Sequence, residues 1–172
     1  MRHLLAAISA AVTQRNWYAA LSTTLALPDI CGWLEDPTAS SQDRYVAWFD
    51  RFVGSQYISE VGATHERHVF LSGRDCYALR CAFLHQGSEE ITSQRAREAL
   101  DRFQFTVQTA DSVCTGHCNQ LGWKLQLQVD IFCSQFVAGG ECWLRDVGSK
   151  PEITSRVSSL LRIYDFNGQL ID

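Results

Sequence analysis

A chain of 172 residues, 46% hydrophobic and 20% charged, is long enough to bury a core and short enough to fold as one domain. Its 15 basic and 19 acidic residues leave a formal net charge of -4, which excludes bulk electrostatic attraction as the way to hold nucleic acid and leaves only local contacts. Seven cysteines, an odd number spread through helical and strand-like segments, argue for free thiols in a reducing cytoplasm and against a disulfide framework.

The N-terminal MRHLLAAISAAV has an apolar run too short and too broken for a signal peptide, and no run reaches the roughly 18 apolar residues a membrane span needs. Leu4, Leu5, Ile8, Val12, Trp17, Leu21 and Leu25 recur near every 3.6 residues and predict one long helix over 3–26. Pro28 suits a first helical turn and predicts a restart, with a short second helix in LPDICGWLE. In SSQDRYVAWFDRFVG, Tyr45, Trp48, Phe49, Phe52 and Val53 fall at i, i+3, i+4, i+7 and i+8, a helix whose aromatic stripe belongs to the core. Residues 54–70 lack a period and read as a loop. Ser72 and Asp75 have capping-box spacing and Gly87 supplies a left-handed stop, so a helix runs from Gly73 to Gln86.

A short polar helix is expected around Gln94 to Phe103. Period two in FQFTVQT and again in WKLQLQVD predicts a two-stranded hairpin, inserted over about 103–129. IFCSQFVAGGECWLRDV returns to helical spacing despite Gly139 and Gly140, and PEITSRVSSLLRIYDF opens on a proline as a last helix. The expected fold is all-α: a single domain over 1–172 with four to five main helices and a small β-hairpin insertion near the C-terminal third.

The helix over 73–86 carries Arg80 in mid-helix and His85 at its end, an Arg-x-x-x-x-His pattern followed by Gln86 and Gly87. Taken alone, Arg80 reads as a salt-bridge cation and His85 as a C-terminal histidine facing helix carbonyls. Together with the preceding NWYAAL…LPDICG and RYVAWFD, however, the pattern resembles the HEPN superfamily. Its members are compact α-helical bundles, often metal-independent endoribonucleases of toxin–antitoxin and phage-defence systems, with an Arg-x(4–6)-His signature. The resemblance covers roughly residues 1–90.

It implies an RNA substrate, no cofactor, no metal, a cytoplasmic setting away from membranes, a homodimer, and an antitoxin or defence-complex partner. RNA cleavage without metal needs a base near the 2′-hydroxyl and a fixed cation on the phosphate, so Arg80 would hold phosphate and His85 would move the proton. Asp75 is first a capping residue and secondarily an orienter of Arg80 from across the interface between two copies. Cys81 stands where the family frequently has a polar residue, and Gln86 completes the supporting set.

Five residues of helix place Arg80 and His85 about 140° apart and about 7.5 Å along the axis. One helix therefore presents them awkwardly to one phosphate, whereas two such helices at a twofold axis would gather them, with Tyr77, Cys81 and Leu84 as apolar docking surface. His65, Arg67, His68 and Arg74 form a cationic approach that is either solvated loop charge or a steering surface for RNA. Two other readings stay open, a non-catalytic HEPN-like module binding nucleotide, RNA or protein, and a scaffold subunit contacted through the hairpin. In CTGHC, Cys114, His117 and Cys118 with Cys133 or Cys142 make a zinc site conceivable, but the loose spacing favours metal-free loop and core thiols.

Overall fold

The computed structural model describes residues 1–109 and 116–171. Six α-helices are present among them: α1 (Arg2–Thr13), α2 (Trp17–Glu35), α3 (Ser41–Phe52), α4 (Gly73–Gln86), α5 (Val129–Val147) and α6 (Pro151–Ser158). The strands are short: β1 (Ile58–Val61), β2 (Glu66–Val69), β3 (Arg102–Thr106), β4 (Asn119–Leu121), β5 (Lys124–Gln128), β6 (Ile163–Tyr164) and β7 (Leu170–Ile171). The architecture is a helical bundle with small β elements at its margins. No helix among the described residues is long and apolar enough to cross a membrane.

The long N-terminal helix expected over 3–26 is two helices. Arg15 takes a left-handed φ of 57°, and the Asn16 side chain accepts the Ala19 amide as an N-cap, so the chain turns there and starts again. Conversely, Pro28 does not restart the chain. It lies buried within α2, where a proline ordinarily costs about 3 kcal/mol. Tertiary packing overrides that cost because α2 is the central helix, packed by α1, α3, α4, α5 and α6. Its Leu25, Leu27, Cys31 and Leu34 lie in a core shared with Ile8, Tyr45, Phe49, Phe132, Phe136 and Trp143.

Gly139 and Gly140, which weaken α5 by propensity, let it press against its neighbours. A Cβ on Gly139 would lie 2.8 Å from Val53, and one on Gly140 would lie 2.6 Å from Leu5. The Arg156 guanidinium of α6 donates to the carbonyls of Leu34 (2.6 Å) and Glu35 (3.1 Å), satisfying the open end of α2.

Three expectations about irregular segments are corrected. Residues 54–70 hold a 3-10 turn over Gly54–Tyr57 followed by the antiparallel pair β1–β2. Residues 94–103 form no polar helix but a run of turns leading into β3, with Ala96, Leu100 and Phe103 buried. The expected hairpin is a three-stranded sheet in the order β3-β5-β4. Its two period-two strands, β3 and β5, run parallel, and the tight antiparallel hairpin is formed by β4 and β5 around Gly122 and Trp123. Alternation reports that one face of a strand is buried, not the direction of its neighbour.

Candidate functional site

Asp29 is the one charged residue of α2 before Glu35, and it follows the buried Pro28. A Cβ on Gly32, one turn further along, would lie 2.8 Å from the Arg44 carbonyl oxygen and 2.9 Å from Arg44 Cβ. Glycine is what lets α3 approach α2 this closely. The approach puts Arg44 Nε 2.6 Å from Asp29 Oδ1, which also accepts from Ser41 Oγ at 3.1 Å. The other carboxylate oxygen, Oδ2, accepts from Arg80 Nη2 on α4 at 3.2 Å. Asp29 therefore ties the two guanidinium groups of neighbouring helices together.

On its other side Arg80 Nη1 lies 3.4 Å from His85 Nε2 and 3.9 Å from Cys81 Sγ. A guanidinium has only donors, so in this contact Nε2 accepts. The reach expected to require two chains is covered within one. Side chains on a helix lean towards its N-terminus, so the His85 ring tilts back while the long Arg80 stem comes forward to meet it. The helix end does not need His85 either. Gly87, with φ of 64°, places its own amide on Phe83 O (3.0 Å) and that of Ser88 on Ala82 O (3.1 Å), a closure of the αL type made by the backbone.

The Tyr77 ring flanks Arg80 with its centroid 5.9 Å from Cζ and meets the buried Tyr45 edge-on at 5.4 Å. Burial holds the Tyr77 phenol above its ordinary range, with Ser41 and Cys81 as hydrogen-bonding neighbours. Behind it, burial pushes the Cys76 thiol up to about 12, so that thiol is an inert core group. Arg80 Nε is buried without a hydrogen-bond partner. Counting Arg44 and Arg80 against Asp29, the ion-paired cluster carries one positive charge in excess.

Within the chain, the side-chain contacts of Asp75 are with Ser72, Glu98 and Ala99 rather than Arg80. It is buried, and beyond its part in the cap with Ser72 its carboxylate accepts the backbone amides of Glu98 (2.7 Å) and Ala99 (3.2 Å). Its work is to pin the turns that precede β3. Gln86 is exposed at the end of α4, and no contact among the described residues joins it to the cluster. Of the cationic approach, His65 pairs with Glu60 (3.3 Å), His68 Nε2 meets Gln120 Oε1 (2.8 Å), and Arg74 lies 3.7 Å from Glu98.

Cys114 lies outside the described residues. His117 Nδ1 accepts the Gln128 amide at 3.2 Å. Cys133 is buried and Cys142 exposed on α5, nine residues and so about 13.5 Å of helix apart; the two cannot serve one ion together. No group of three or more His, Cys, Asp or Glu among the described residues is arranged to hold a metal.

Asp29, Ser41 and Arg44 escaped the sequence reading, and Tyr77 entered it only as apolar docking surface. The available signal was Asp29 itself, a carboxylate set among the apolar residues of LALPDICGWL, which requires a partner when buried. No protein-family model matches the chain, and neither a curated protein nor a solved structure does. What the geometry defines is a helical bundle with a partly buried, cation-rich polar cluster where α2, α3 and α4 meet.

Proposed function

We propose that this chain is a HEPN-like, metal-independent endoribonuclease whose site is formed by Arg80 and His85 and organised by Asp29. The observation that carries the reading is the 3.4 Å approach of Arg80 Nη1 to His85 Nε2. It supports the reading because a phosphate accepting from Arg80 would lie beside a ring nitrogen suited to proton transfer. The excess positive charge of the cluster favours an anionic ligand, and Asp29 holds the guanidinium so that little reorganisation is needed when charge grows on the phosphate.

In this mechanism the substrate phosphate accepts from Arg80 Nη1 in place of the ring, and the freed His85 Nε2 takes the proton of the substrate 2′-hydroxyl while that oxygen bonds to phosphorus. The bond from phosphorus to the 5′-oxygen breaks, and the proton passes to that leaving oxygen. The products are a 2′,3′-cyclic phosphate and a 5′-hydroxyl, and no metal is involved. One chain suffices for the pair, so catalysis does not depend on a twin of α4. An antitoxin or a defence-complex partner belongs to the same reading.

The alternative is a non-catalytic HEPN-like module that binds RNA or nucleotide. It draws support from Cys81 at the position after the arginine and from the ion pair that already occupies Arg80. Incubation of the protein with total RNA, with and without EDTA and beside Arg80→Ala and His85→Ala variants, separates the two. Cleavage that survives EDTA and disappears in both variants supports the nuclease. RNA retention without new 5′-hydroxyl ends supports the module, and unchanged cleavage by both variants removes the site assignment.

A further inference from the structure

The strongest apolar exposure lies far along the chain from the cluster. Beyond α6, Leu161, Ile163, Tyr164, Phe166, Leu170 and Ile171 range from 42% exposed to fully exposed. Four of them form the pair β6–β7, with Ile163 opposite Ile171 and Tyr164 opposite Leu170. A two-stranded ribbon of this length is marginal without a covering surface.

Its turn is nevertheless well built. The Asp165 carboxylate accepts the amides of Asn167 (2.9 Å) and Gln169 (2.7 Å), and the Asp165 amide donates to Gln169 O at 2.8 Å. That turn presents Phe166 outward as an apolar knob. At the base of the same ribbon is a groove of about 450 Å³, walled by Leu4 and Ala7 of α1, Val157 of α6 and the β6–β7 side chains, with Arg162 among its lining residues.

We propose that this surface is where two copies of the chain associate, the Phe166 knob of each entering the groove of the other around a twofold axis. Knob and groove on one chain make the patch self-complementary, which is what an isologous contact requires. Charge agrees, since Asp165 beside the knob would approach Arg162 in the other copy's groove. Area agrees as well: six large apolar residues between 42% exposed and fully exposed supply much of the roughly 800 Å² that each partner contributes to a standard interface. The proposal is independent of the nuclease reading, because no residue of the Asp29–Arg80–His85 cluster takes part.

Sedimentation velocity at about 10 µM, a concentration at which an interface of this size is expected to be occupied, tests it directly. The intact chain is expected to sediment as a dimer. Phe166→Asp, which spoils the knob, and Ala7→Arg, which fills the groove from an exposed helical position that tolerates arginine, should each give monomers with unchanged circular dichroism. An equimolar mixture of the two variants should recover dimers, because one intact knob meets one intact groove and the new charges attract. An intact chain that stays monomeric overturns the proposal. So does a dimer that persists in both variants, or a mixture that remains monomeric while the intact chain dimerises.

Discussion

Arg80 Nη1 and His85 Nε2 stand 3.4 Å apart although their residues are five positions apart on α4. The contact is possible because Arg80 is held from behind: Nη2 is on Asp29 while Nη1 faces the ring. Such a bridge needs a planar fork, which lysine lacks. Arg80→Lys should therefore lower single-turnover cleavage of a labelled RNA by about 100-fold or more while retaining the charge. Near-normal cleavage by the lysine variant would reduce Arg80 to a simple positive charge.

Asp29 sits between two guanidinium groups with only 16% of its side chain exposed. Asp29→Ala leaves both cations uncompensated and should cost about 2 kcal/mol of stability, less than the 3–5 kcal/mol of a fully buried broken pair. Urea unfolding reads that loss as a lower midpoint at unchanged slope. Cleavage should fall as well, measured below the unfolding transition, since Arg80 loses its anchor.

Asp75 is expected to separate stability from chemistry. Asp75→Ala leaves the amides of Glu98 and Ala99 without their carboxylate partner and should destabilise by about 2 kcal/mol, with hydrogen exchange rising first at those two amides. Cleavage per folded molecule should stay at the level of the intact protein. A selective loss of turnover with exchange unchanged would return Asp75 to the site.

The closeness of α2 and α3 at Gly32 makes a non-additive prediction. Gly32→Ala drives a methyl into the Arg44 backbone and should cost about 2 kcal/mol by overpacking. Because the resulting separation also breaks the Asp29–Arg44 contact, Arg44→Ala should cost less in the Gly32→Ala background than alone, a coupling that a double-mutant cycle in urea detects.

Burial lowers the pKa of His117 below its ordinary value of 6.5, against smaller opposing effects of Gln135, Asp130 and the Gln128 amide. The unfolded chain then binds the proton more readily, so stability rises with pH across this window. The contribution is complete above 6.5 and is lost as pH falls through the lowered folded value. Thermal unfolding between about pH 7 and pH 5 should show this decline, and His117→Gln should flatten it. An equal slope in both proteins would assign the titration elsewhere.

Helical spacing sufficed to place α3 and α5. Local chemistry sufficed for α4, whose Ser72 cap and Gly87 stop are both as expected, and for the start of α6 at Pro151, although that helix ends at Ser158 and Ile163–Tyr164 of the expected helical segment is β6. These features were legible because a cap or an amphipathic stripe is decided within one or two turns of chain. By itself the sequence also marked Arg80 and His85 as a pair worth testing. Only the tertiary structure decided that α2 runs through Pro28, because the burial that offsets the proline comes from helices distant in sequence. Strand direction was decided the same way: β3 lies parallel to β5 through a neighbour relation that alternation does not encode. The cluster followed suit, since Asp29 reaches Arg80 across 51 positions and reaches Arg44 through a Gly32 contact that no local pattern announces. Helical angle alone set Arg80 and His85 apart; side-chain length and tilt, with Asp29 as anchor, brought them together.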